Sequence, residues 1–265
     1  LTRQMSRGRP GEVVVRVRDA NNRERTLTVP RRNAYRAMLP AHERPAGTAV
    51  RVLSDGIAYA DIERLTDTTI AAAFATLASA RGVVLDLRGT LPVDDMRLLQ
   101  HLATRSRALV GRVVQRSVTA PCLVSIREAA IECPDVRETR SWWRTADTAG
   151  VLTGRIVALI DERTSAEMER FALSLEQLSA VTFIGSASAG SLSWATPLSV
   201  PGQLTVGIST QEIRRADGGQ VQRIGLTPVV DAKPTARGLR AGEDEVLTRA
   251  HQWLQQQLEP PRRRR

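Results

Sequence analysis

Residues 154–190 read GRIVALIDERTSAEMERFALSLEQLSAVTFIGSASAG. The run Ile156-Val157-Ala158-Leu159-Ile160 has strand length and strand composition. A polar turn, Asp161 to Ser165, follows it. Phe171, Ala172, Leu175 and Leu178 then recur at helical spacing. A second apolar run, Val181 to Ile184, enters the small-residue loop Gly185-Ser186-Ala187-Ser188-Ala189-Gly190. Strand, sharp turn, helix and strand make a crossover unit. The first turn of its helix stands at the C-terminal edge of the sheet, where backbone N–H groups are unpaired and face whatever binds. Any chemistry is expected there first.

The chain outside this unit points the same way. Val83-Val84-Leu85-Asp86-Leu87 reads as a buried strand, preceded by a helix over 68–80 with Asp67 as its N-cap. A helix is expected from Pro92 to about Ser106 and a closing helix from Glu243 to Gln257. Hairpins are expected over Gly11–Arg31, turning at Asn21-Asn22, and over Arg51–Ile62, turning at Ser54-Asp55-Gly56. Gln203–Arg215 and Gln220–Ile224 alternate around Asp217-Gly218-Gly219. Short strands are expected near 109–115 and 121–126, in an otherwise irregular stretch from 107 to 150. Its Trp142-Trp143 pair either covers a core edge or lines a cleft. The sum is an α/β fold with crossover connections.

Composition narrows the function classes. Of 265 residues, 42% are hydrophobic but only 3% aromatic, so the core is aliphatic. The net charge of +10 invites a nucleic-acid reading. The charge is scattered along the chain, however, and nucleic acid is not expected as a partner. The run Arg262–Arg265 reads as a solvated basic tail. No stretch of roughly 18 apolar residues is present, so no helical membrane span is expected. Cys122 and Cys133 are close enough to close a small disulfide loop or to remain as two buried thiols. His42, His101 and His251 lie apart from one another and from other ligand types, and no metal site is expected.

Four motifs, in order, carry a resemblance. Val83 to Gly89 is similar to the D-L-R-G strand of the C-terminal-processing (tail-specific, tricorn-like) serine peptidases. Residues 154–190 resemble the nucleophile turn of that family and the I-G-x-x-T-A-G loop after it. Asp217-Gly218 with Ile224-Gly225-Leu226-Thr227-Pro228 resembles its late D-G…G-[IV]-x-P-D motif. Gly8-Arg9-Pro10-Gly11 and the following hairpin resemble the closing strands of its PDZ domain. The resemblance implies a crossover βαβ peptidase core of the ClpP/crotonase-like kind, with additional hairpins. It divides the chain into PDZ-like strands (1–32), a linker (33–50), the peptidase core (51–258) and a basic tail (259–265). It also implies acyl transfer through a serine ester without metal or nucleotide, and an extracytoplasmic location. The implied substrate is an unfolded polypeptide or a protein C-terminus. A homo-oligomer, or an N-terminal part of the same protein lying upstream of residue 1, is implied as a further partner.

Carried over residue by residue, the family's nucleophile falls on Ala166, three residues before Glu169. A methyl group cannot attack a carbonyl. Three readings follow: an alanine put in place of a serine, a natural pseudo-peptidase that binds chain ends without cutting, or a register one residue off with Ser165 as nucleophile. The lysine that many members use as base corresponds to Ser191. The tricorn-like branch instead takes a histidine from a region that would precede residue 1. The oxyanion donors correspond to the N–H groups of Glu167 and Gly89, but Pro92-Val93 replaces the family's Gly-Gly pair, and proline has no N–H. Gly185, Ser188, Gly190 and Ser191 correspond to substrate-binding positions. Val229 stands where the family has aspartate.

Overall fold

The computed structural model describes residues 11–19, 21–31, 47–117, 123–125, 130–132, 136–146, 152, 154–202 and 204–259. Most of the expected linker, both cysteines, His42, the Gly8-Arg9-Pro10 segment and residues 260–265 lie outside them.

The chain divides into two compact units. The first comprises residues 1–46 and 234–245. It holds the hairpin of β1 (Gly11–Arg18) and β2 (Glu24–Arg31), which are antiparallel. Asn22 takes a positive φ of 62° in its turn, which asparagine tolerates better than most residues. A short helix, Ala236–Ala241, is N-capped by the Thr235 hydroxyl. Glu245 in turn accepts a hydrogen bond from that hydroxyl. The grouping of residues 234–245 with the N-terminal hairpin was not visible in the sequence.

The second unit comprises residues 47–233 and 246–265. Its main sheet contains β3 (Val50–Val52), β4 (Ile57–Asp61), β5 (Gly82–Asp86), β10 (Arg155–Ile160), β11 (Val181–Gly185) and β14 (Val230–Asp231). The spatial order is β14-β11-β10-β5-β4-β3. All neighbours are parallel except β3 and β4. The sheet is covered on both faces, which explains why β5 and β10 read as unbroken apolar runs. Ala58, Val83, Leu85, Ile156, Ala158 and Ile160 face helices α1 (Ile70–Ala78), α2 (Asp95–Leu102) and α3 (Glu167–Leu178). Ile57, Tyr59, Val84, Val157 and Leu159 face Val246, Ala250 and Leu254 of the closing helix. This is the crossover α/β architecture expected from the sequence.

A second, antiparallel sheet has the order β12-β13-β6-β9: Ser193–Val200, Leu204–Arg215, Arg107–Ser117 and Val136–Thr145. The short strands β7 (Leu123–Ser125) and β8 (Ala130–Glu132) pair with each other, antiparallel. It joins the core through Val110 and Ile213. Trp142 packs against the core, while Trp143 is about half exposed under the Arg107 guanidinium. Two local expectations fail. Thr69, not Asp67, is the N-cap residue of α1, and Asp67 pairs with Arg97 instead. Gln220–Ile224 forms a tight turn with one isolated bridge to Arg214 and not a strand.

Candidate active site

The site is built where β10 passes into α3. At the end of β10, the Asp161 carboxylate accepts from the N–H of Arg163 (2.9 Å) and pairs with its guanidinium. This Asx-type turn reverses the chain sharply. Thr164 is fully buried, and its hydroxyl donates to the Leu87 carbonyl at 2.8 Å. The N–H of Leu87 donates to the Leu159 carbonyl. The end of β5 is thereby fixed beside the start of α3.

Ala166 is the N-cap residue of α3, with φ 46° and ψ −110°. For an alanine this backbone is strained, at a cost of about 1–3 kcal/mol. A strained strand-to-helix turn is how a nucleophile is held at a sheet edge, clear of its own helix. Ser165 does not serve as a cap, and α3 has no side-chain cap. Its carbonyl instead accepts from the N–H of Met168. Glu167 is the first helical residue and exposed, at the end of the helix where N–H groups are unpaired.

The loop from Gly185 to Ser191 is bound to α3 by one carboxylate. Glu169 is fully buried. Its Oε1 accepts from the Ser188 hydroxyl and from the N–H of Gly190 at 2.7 Å. Its Oε2 accepts from the N–H of Ser191 at 2.9 Å and from the Ser191 hydroxyl at 3.2 Å. Ser191 Oγ in turn accepts from the N–H of Ala166 at 3.0 Å. Ser188 Oγ accepts from the N–H of Leu226 at 2.7 Å, which brings in the late motif. Ala166, Glu169, Ser188, Gly190 and Ser191 therefore form one hydrogen-bonded cluster. Gly185 is buried, with φ 136°, and a Cβ there would lie 2.0 Å from the Ile160 carbonyl oxygen. Its contact is with the neighbouring strand. Val229 is 76% exposed.

The turn after β5 contains donors, but they are engaged. The N–H of Gly89 donates to the Leu87 carbonyl at 2.9 Å. The N–H and hydroxyl of Thr90 both donate to Glu63 Oε1, at 3.0 and 2.8 Å. Glu63 and Thr164 were missed in the sequence. Glu63 lies 27 residues before Thr90 on another element, and no local pattern links them. His101 stacks on the Phe74 ring, 4.6 Å between centroids. Among the described residues no group of His, Cys, Asp or Glu side chains is arranged to hold a metal ion, and no helix is long and apolar enough to cross a membrane.

Comparison with known proteins bears on the family and the fold. The model of peptidase family S41 matches residues 93–232, more than half of the chain. No curated protein matches the sequence. Solved structures similar in fold include a candidate peptidase from Parabacteroides merdae (14% identity, TM-score 0.62, covering 77% of this chain and 63% of that one). Mature CPAF complexed with lactacystin is similar over 95% of this chain and 69% of that one, at 13% identity and TM-score 0.66. The photosystem II D1 C-terminal processing protease is similar over 90% of this chain and 61% of that one, at 18% identity and TM-score 0.50. The chain thus spans less than two thirds of the length of the first and third of these proteins.

Proposed function

The chain belongs to peptidase family S41, and from that premise we propose that it is a serine-peptidase core that binds an unfolded polypeptide or a protein C-terminus and, with alanine at position 166, does not cleave it. The observation that carries this reading is the backbone of Ala166. Residue 166, and not Ser165, has the strained positive φ of a nucleophile turn, which supports the ungapped register in which the nucleophile position lacks a hydroxyl. Acyl transfer needs an oxygen or sulfur nucleophile and a donor pair for the developing oxyanion. Ala166 lacks the first. Gly89, the implied partner of Glu167 in the second, spends its N–H on Leu87.

Two histories fit this reading, and the second has its own support. A serine peptidase whose nucleophile has been replaced by alanine would regain hydrolysis on restoration of the serine. A natural pseudo-peptidase would not, and the engaged amides of Gly89 and Thr90 favour it. The test is to assay the chain and its Ala166→Ser variant with an unstructured polypeptide, for both binding and turnover. Binding without turnover in the starting chain is the expected result; turnover by that chain would overturn the proposal. Turnover in the variant supports a lost nucleophile, and continued binding without turnover supports a binding scaffold. We further propose an extracytoplasmic location, which fractionation of cells expressing the whole protein would test.

A further inference from the structure

We propose that Arg144 and Arg170 form a carboxylate-binding subsite beside the nucleophile turn, so that bound polypeptides are read through an acidic side chain or a free C-terminus. The inference rests on the reading that this chain binds polypeptide.

Arg170 lies one helical turn beyond Ala166, about 6 Å along the axis, and its N–H donates to the Ala166 carbonyl. Asp95 opens α2, the helix after the turn that carries Gly89 and Thr90. Arg144 comes from β9 of the second sheet. Both arginines converge on one oxygen. Arg144 Nη2 is 2.6 Å from Asp95 Oδ2, and Arg170 Nε is 3.3 Å from the same atom. Asp95 is only 4% exposed, so one buried carboxylate faces two guanidinium groups and one positive charge is left over. Arg144 is otherwise placed by a contact with Met96 Sδ and by the Trp142 ring, 5.3 Å from its guanidinium carbon.

The donors are also in excess. A guanidinium carries five N–H donors. The Nε atoms of both arginines are buried without a hydrogen-bond partner among the described residues. The Arg170 side chain pairs with Asp95 but makes no hydrogen bond to any described residue. Poorly satisfied donors on a largely buried cation are costly. Both side chains nevertheless reach solvent, at 20% and 25% exposure. A carboxylate is the ligand whose planar oxygens match the terminal nitrogens of such a pair. It would supply the missing negative charge.

The experiment measures, by fluorescence anisotropy with the full chain, three labelled versions of one short unstructured peptide: neutral and amidated, neutral with a free C-terminus, and amidated with an internal glutamate. A carboxylate-bearing version is expected to bind about tenfold tighter than the neutral amide. Which version gains identifies the source of the carboxylate. Arg144→Gln should abolish the advantage. Asp95→Asn should enlarge it, because the internal competitor is neutralised. A purely structural role for the cluster predicts that both variants weaken binding of all three peptides alike. Equal affinities for the three peptides, or an advantage unchanged in Arg144→Gln, would overturn the subsite alone. Failure of every peptide to bind would overturn it together with the polypeptide-binding reading.

Discussion

The Ser191 hydroxyl accepts a 3.0 Å hydrogen bond from the N–H of Ala166, a residue 25 positions earlier. On the register proposed above, residue 191 stands where the resemblance implies a lysine base, with a hydroxyl in place of an amine, and this bond sets it against residue 166. Ala166→Ser alone would set one hydroxyl beside another, with no new base. Ala166→Ser combined with Ser191→Lys would restore a nucleophile and a base together. Labelling by a serine-reactive fluorophosphonate should rise about a hundredfold in the double variant over the single one. Peptide turnover should lag behind labelling, because Gly89 still donates to Leu87 and Thr90 to Glu63. Equal labelling of the two variants would show that residue 191 cannot act as a base here.

Ala166→Gly should stabilise the protein by about 1 kcal/mol, since relief of strain exceeds the added entropy of the unfolded chain. Glycine adopts a φ of 46° without a Cβ penalty. Ser165→Ala should change stability by less than about 0.5 kcal/mol, because the Ser165 hydroxyl makes no hydrogen bond to any described residue. Urea denaturation of the two variants checks both. A destabilising Ala166→Gly would show that position 166 is not strained.

Glu169→Gln should cost about 2–4 kcal/mol. The carboxylate accepts from the Ser188 hydroxyl and the N–H of Gly190 on one oxygen, and from Ser191 on the other. An amide presents an NH₂ where one of those oxygens was, opposite an N–H donor. Ser188→Ala should cost less, about 1–2 kcal/mol, because the N–H of Leu226 loses its acceptor while Glu169 keeps three of its four donors. Equilibrium unfolding gives the order. A neutral Glu169→Gln would mean that the loop does not depend on the carboxylate.

The legibility of this fold follows the range of the forces that make it. Strands β5, β10 and β11 were readable because burial on both faces leaves an unbroken apolar run. Helix α3 was readable from Phe171, Ala172, Leu175 and Leu178. Strand β12 was not, because Pro197 and its polar neighbours look like a loop, and its partner β13 supplies the ladder. The link between Ala166 and Glu169 is a local spacing and survives in sequence. Thr164 to Leu87, Thr90 to Glu63 and Arg144 to Asp95 join distant segments, and nothing in any one segment announces its partner. The D-L-R-G turn showed its altered sequence, but the engagement of its amides is a tertiary property.

Tyr59 of β4, Asp86 of β5 and Arg88 in the turn after it form a buried, hydrogen-bonded triad that makes the stability of the second unit depend on pH. Asp86 is fully buried, which by itself raises its pKa. The hydrogen bonds and charge of Arg88, with the Tyr59 hydroxyl, outweigh burial and hold it below its ordinary 3.8. A carboxylate depressed in the folded state stabilises fully above its unfolded pKa, and that stabilisation is lost as pH falls toward the folded value. The acid limb therefore begins below about pH 4. Tyr59 has the opposite consequence. Burial first, and then the nearby Asp86 charge, push its phenol well above the ordinary 10.0. The unfolded chain ionises there before the folded one does, so stability is complete below about pH 10 and declines as pH rises beyond it. Tyr59→Phe should remove the part of the alkaline decline that the phenol causes and make the acid limb shallower, since Asp86 loses one donor. At neutral pH it should cost about 1 kcal/mol, the net value of one hydrogen bond. Urea midpoints of the parent and the variant across the pH range measure all three effects. An alkaline limb identical in the two proteins would show that Tyr59 does not titrate as the buried triad requires.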